Sequence, residues 1–222
     1  MKEIVILANF LDGHVGRHLE TAAQSIGVTA SCVDSRTMYG SGLVQKFSWH
    51  FFARKPLHIS RVLVSLASEF SDGFRQHLLV VGLVPLPSYN IEDYRKKGVR
   101  SGIFLTDDPF NPAHRSSRMV GTLPAYDVVF TPRRSIIPQL AGIGVKRIEW
   151  LPFAIDPATH VARIDDETTE AAVDVMFVGG ADPDRVPFAV ALVEAGFSLA
   201  LYGGYWSKFP LLRPHARGIR SA

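Results

Sequence analysis

The most constraining feature of this chain is a repeated unit: a short apolar run, a turn rich in Gly, Asp or Pro, then a helical stretch. Residues 4–8 (IVILA) and 78–83 (LLVVGL) are near-continuous apolar runs rather than alternating ones. Continuous runs belong to strands buried on both faces, as in parallel sheets with helices packed above and below.

The unit recurs through residue 151. Residues 14–26 read as a helix stopped by Gly27, and 28–33 as a strand closed by Asp34 and Ser35. Residues 36–55 read as a long connection with a short helix. Pro56 suits the first turn of a helix reaching about Phe74. A strand over 78–83 ends at Pro85 and Pro87, and a helix over 91–97 ends at Gly98. Strands over 99–105, 126–130 and 146–151 alternate with helices over 115–121 and 135–141. The rhythm predicts an α/β fold with a doubly wound parallel, Rossmann-like sheet.

Residues 152–171 change character, with prolines followed by an acidic and threonine-rich run from Asp165 to Glu170. This predicts a first domain over 1–152, a linker over 153–171 and a second domain from 172 to 222. The rhythm restarts there with a buried strand over 173–178, a helix to Ala195 and a strand over 198–202. Those elements do not close a second Rossmann-like domain, so the second domain is expected to be incomplete. The basic tail from Arg213 to Arg220 reads as a solvated end.

Composition excludes several classes. With 47% hydrophobic and 20% charged residues, the chain can bury a core and is not disordered over most of its length. Its single cysteine, Cys32, rules out an intramolecular disulfide and a cysteine-rich zinc site. Its apolar neighbours predict a buried, inert thiol. No apolar run approaches the roughly 18–20 residues of a membrane helix, so a cytoplasmic location is expected. A net charge of +3 suits an anionic ligand or an anionic membrane surface, and no nucleic-acid-binding signature is present.

Ligands of open α/β sheets bind beyond the carboxyl ends of the strands, so four turns matter most. The first, residues 9–16, contains Gly13, His14 and Gly16 ahead of a helix. It can approach an anion through backbone amides, or be a tight structural turn. His14 is a candidate base or a side chain of the helix-cap region. Neither the G-x-G-x-x-G fingerprint nor a P-loop is present, which disfavours a nicotinamide-linked oxidoreductase.

The second turn places Asp107 and Asp108 after a buried strand, where carboxylates need partners or a wet cleft. They are candidates for acid/base work or for a structural cap. The third, residues 151–157, reads as a rigid exit into the linker. The fourth joins Gly179 and Gly180 to Arg185, an arrangement suited to a diphosphate. No metal-ligand spacing is visible, and no metal is expected. The aromatic and basic stretch from Tyr39 to Arg54 fits contact with an acceptor or a peripheral membrane surface, or core aromatics separated by solvated charges.

Residues 104–112 (FLTDDPFNP) resemble a segment of the CgeB-like (spore maturation protein B) glycosyltransferases. Residues 126–131 (YDVVFT), 151–157 (LPFAIDP) and 175–180 (VMFVGG) follow in the same order, then Asp184, Arg185, 201–203 (LYG) and Trp206. The likeness spans roughly residues 98–206, and the first part agrees only in fold rhythm. It implies a GT-B architecture, with an acceptor-side N-terminal domain and a donor-side C-terminal domain. On that basis Gly179, Gly180 and Arg185 line the diphosphate of a nucleotide-sugar donor, while Asp107 and Asp108 lie at the cleft. It implies transfer to an unknown acceptor without a metal or other cofactor, positive charge and helix dipoles stabilising the departing diphosphate.

The family's C-terminal domain continues past the length seen here, so the resemblance implies a fragment, a truncated gene product or a half that pairs with another chain. The alternative from another class is a non-catalytic Rossmann-like nucleotide-binding or partner module.

Overall fold

A computed structural model of the chain describes residues 3–11, 13–40, 56–70, 77–112, 116–155 and 173–217. The chain divides into two compact units, residues 1–161 and 162–222. Of the expected linker, residues 156–171 lie outside the described residues, as does most of the aromatic and basic stretch, residues 41–54.

The first unit opens with β1 (Glu3–Ala8), α1 (Val15–Ser25), β2 (Thr29–Asp34) and α2 (Ile59–Glu69). It continues with β3 (His77–Val81), α3 (Ser88–Lys96), β4 (Arg100–Phe104) and α4 (Ser117–Thr122). It closes with β5 (Val128–Thr131), α5 (Ile137–Gly142) and β6 (Ile148–Trp150). The six strands form one parallel sheet in the order β2-β1-β3-β4-β5-β6. This is the Rossmann-like parallel sheet expected from the sequence.

Crossover handedness explains the layering. The chain steps one way from β1 to β2 and the other way from β2 onward, and right-handed crossovers then send α1 and the later helices to opposite faces. The packing agrees. Ile6, Ala8, Val81 and Phe104 pack with Val15 and Leu19 of α1. Val5, Leu7, Leu78, Val80 and Ile103 pack in the larger core with Val62 and Leu66 of α2, Tyr94 of α3 and Leu140 of α5. Alternate residues of β1 and β3 therefore point to opposite faces and are buried on both, which is why these runs are continuous. Each fully buried Leu or Ile contributes about 1.5–3 kcal/mol.

Two contacts position the ends of the strands. A Cβ on Gly16 would stand 2.5 Å from the Ala8 Cβ and 2.5 Å from the Asn9 carbonyl oxygen, so only glycine lets α1 start this close to the end of β1. On the other side, Asp127 accepts the Ser101 backbone N–H at 2.7 Å and Arg95 Nε at 2.9 Å, joining β4, α3 and the approach to β5. Arg95 also donates to the Ala125 carbonyl. Burial works to raise Asp127, but the Ser101 and Arg95 bonds and the Arg95 charge outweigh it and hold the carboxyl below its usual range.

Several local expectations are corrected. Asp127 serves as this clip, so β5 begins at Val128 rather than at Tyr126. Pro56 precedes α2 by three positions instead of forming its first turn, and His58 donates its N–H to the Met38 carbonyl at 2.9 Å. Helix α3 starts at Ser88, directly after Pro87, rather than at Ile91.

Cys32 is exposed, not buried, because β2 is an edge strand. Its sulfur nevertheless leans on α1. Partial burial, then the charge and hydrogen bond of Glu20, push the thiol up to about 12.

The second unit contains β7 (Val175–Val178), α6 (Arg185–Glu194), β8 (Leu199–Tyr202) and β9 (Ala216–Arg217), with parallel strands in that order. Its core gathers Ala189, Leu199, Leu201, Trp206 and Leu212. One expectation fails here. Strand β7 is not buried on both faces: Val175 and Phe177 face this core, while Met176 and Val178 are 65% and 74% exposed. Over its described part the basic tail adds a short strand, Ala216 and Arg217 pairing with Leu201 and Tyr202, while Arg213 and Arg217 remain exposed.

Candidate functional site

Strand β1 has β2 on one side and β3 on the other, so the connections leaving β1 and β3 diverge. A crevice opens between their carboxyl ends, at the switch point where open α/β sheets bind ligands. A cleft of about 430 Å³ lies there. Asn9, Gly13 and His14 line it from the turn after β1, and Gly82 from the turn after β3. Thr106 and Asp107 come from the turn after β4, Arg133 from that after β5, and Phe153 from beyond β6.

Gly13, His14 and Asp107, picked from turns far apart in sequence, are therefore brought to one cleft. Asp108 does not line it: its Oδ1 accepts the Phe110 N–H at 2.8 Å and shapes the turn behind Asp107. Asp107 itself is exposed, with Oδ2 accepting the Thr106 hydroxyl at 3.1 Å. The Asn9 amide nitrogen stands 3.4 Å from His14 Nε2, and Asn9 Oδ1 accepts the Leu11 N–H at 3.0 Å. With the Asn9 amide donating, the Nε2 lone pair of a neutral His14 ring is the acceptor and the ring proton sits on Nδ1.

Arg133 and Phe153 are the members that sequence reasoning missed. Arg133 Nη1 donates to the Thr106 carbonyl at 2.8 Å, and its backbone N–H donates to the Thr131 hydroxyl at 3.2 Å. Its loop is held further by Trp150, whose Nε1 donates to the Pro132 carbonyl at 3.2 Å while Arg134 stacks over its ring at 4.0 Å. The available signal was the pair of arginines directly after an apolar strand run. Phe153 lies in the turn expected to be a rigid exit, and packs edge-on against Phe104 at 5.7 Å between ring centroids.

In the second unit, Gly179 and Gly180 line a shallow, mostly apolar depression together with Met176, Val178 and Tyr202. The loop is bound to itself and to the turn after β8. Gly179 N–H donates to Tyr202 and Ala181 N–H to Gly204, at 2.8 and 2.9 Å. The Gly179 carbonyl accepts Trp206 Nε1 at 2.7 Å. Asp182 Oδ1 accepts the N–H groups of Asp184 and Arg185 at 3.2 and 3.0 Å, so a carboxylate already caps the start of α6. Arg185 lies outside the depression's lining; its Nε pairs with Asp182 at 3.1 Å and its Nη1 donates to the Gly180 carbonyl at 3.1 Å.

No protein-family model matches the chain, and no curated protein matches it. Among the described residues, no group of three His, Cys, Asp or Glu side chains could hold a metal ion. Among the same residues, no helix is long and apolar enough to cross a membrane.

Proposed function

We propose that this chain works as a glycosyltransferase-type protein in the cytoplasm, with the first unit holding a hydroxyl-bearing acceptor for a nucleotide-sugar donor. The observation that carries this reading is the convergence of His14 and Asp107 on one cleft at the β1/β3 switch point. In the proposed step, His14 Nε2 exchanges its contact with the Asn9 amide for the acceptor hydroxyl and takes that proton as the oxygen bonds to the anomeric carbon. The bond from that carbon to the diphosphate breaks, and its electron pair leaves with the nucleoside diphosphate. Asp107 holds a neighbouring acceptor hydroxyl. On the CgeB-like resemblance, Gly179, Gly180 and Arg185 belong to the donor side.

A second reading, a nucleotide-binding or partner module without turnover, is favoured by the donor-side loop. Four of its amides and its arginine already have partners within the second unit.

The test is release of nucleoside diphosphate from a panel of nucleotide-sugars with simple sugar acceptors. Release that disappears in His14→Ala supports the transferase. Nucleotide-dependent thermal stabilisation without release selects the module. A response to a dinucleotide alone would overturn the transferase reading.

A further inference from the structure

We infer that the cleft of the first unit takes a small sugar or polyol carrying an anionic group, a phosphate or a carboxylate, with Arg133 as its anchor. The inference rests on reading that cleft as the acceptor site, and it adds the chemical class of the acceptor.

Arg133 differs in its surroundings from the other described arginines: those without a carboxylate partner, such as Arg100 and Arg118, are exposed. Arg17, Arg36, Arg95, Arg147 and Arg185 each pair with a carboxylate. Arg133 is half-buried and pairs with none among the described residues, although Asp107 lines the same cleft. One guanidinium nitrogen is committed to the Thr106 carbonyl, which fixes the fork and leaves its other N–H donors for a ligand. An unneutralised, pre-positioned guanidinium in a cleft binds carboxylate or phosphate oxygens through charge-assisted, often bidentate bonds.

The rest of the lining selects what is attached to the anion. Asn9, His14 and Asp107 are hydrogen-bonding groups suited to hydroxyls, and Phe153 offers an apolar wall to the C–H face of a ring. Asp107 repels an anion on its own side, which orients the charged end towards Arg133. The volume of about 430 Å³ lies within the range for a single small molecule.

The experiment measures thermal stabilisation of the full chain by ribose 5-phosphate against ribose, and by glucuronate against glucose. At least one charged sugar is expected to stabilise more than its neutral parent. Arg133→Gln should weaken that binding about tenfold or more, Arg133→Lys should retain part of it, and Asp107→Asn should strengthen it. Unliganded melting temperatures separate lost binding from lost folding, and the lysine and asparagine variants still test the idea if Arg133→Gln unfolds. Equal responses to charged and neutral sugars, or a charged-sugar shift that survives Arg133→Gln, would overturn the inference. Charge-selective binding without nucleotide-sugar turnover would remove the transferase reading and leave this one standing. Turnover onto neutral acceptors with no charge selectivity would do the reverse.

Discussion

Arg133 donates to the Thr106 carbonyl at 2.8 Å, tying the turn after β5 to the turn after β4 at the rim of the cleft. The bond does two things at once. It satisfies a strand-end carbonyl and it sets a guanidinium in place in the cleft that Asp107 also lines. Replacing Arg133 with Ala leaves that carbonyl without its donor and should cost about 1–2 kcal/mol. Denaturant unfolding of wild type and variant checks this, and an unchanged midpoint would mean that water replaces the bond.

Asp127 should make stability depend on acid. Its folded-state carboxyl is held below its unfolded value, so its contribution is present above the ordinary carboxylate range near 3.9 and is lost as pH falls through the folded value. Asp127→Asn should therefore lose about 1–2 kcal/mol at pH 7, a figure discounted for the partly exposed site, and less at a pH acid enough to protonate the folded carboxyl. Unfolding curves at both pH values test the sign; a loss equal at the two would contradict it.

Gly203 should resist substitution. A Cβ there would stand 2.3 Å from the Gly179 carbonyl oxygen, and the backbone φ is 127°, which side chains rarely adopt. Gly203→Ala should break the apposition of the turns after β7 and β8, with a cost of about 2 kcal/mol or more. Because Trp206 Nε1 bonds to that same carbonyl, the loss should appear as a shift in tryptophan emission. Wild-type emission and stability in the variant would count against the packing described.

Asp182 holds the amides of Asp184 and Arg185 and pairs with the Arg185 side chain. Asp182→Ala uncaps α6 and releases Arg185, which should lower stability by about 0.5–2 kcal/mol. If the loop takes a diphosphate, the same change should tighten nucleoside diphosphate binding, read by calorimetry. A variant that is less stable and binds no better would assign the loop a structural role.

Cys32 should be slow to alkylate despite its exposure. At pH 8 a thiol near 12 is ionised about 10³-fold less than a free one near 8.5, and higher intrinsic nucleophilicity offsets only part of that. Iodoacetamide should react with the folded protein at least ~10-fold more slowly than with the unfolded chain, and Glu20→Gln should raise the folded rate. Equal rates in folded and unfolded protein would show that neither burial nor Glu20 governs the sulfur.

What the sequence determined by itself was periodic and local. The continuous apolar runs of β1 and β3 specify strands buried on both faces, and the turns between elements mark where ligands gather, so the parallel α/β class and the placement of Gly13, His14 and Asp107 at strand ends were legible. Neighbour relations across the sheet were not. Only the tertiary order puts β2 at an edge, exposing Cys32, and brings the turn after β5 beside that after β4, so that Arg133 reaches Thr106 across 27 positions. Likewise, only the folded loop pairs Arg185 with Asp182 and turns Met176 and Val178 outward. The reason is physical: burial patterns report how much of a residue is covered, whereas the partner of a charge depends on which strands lie side by side.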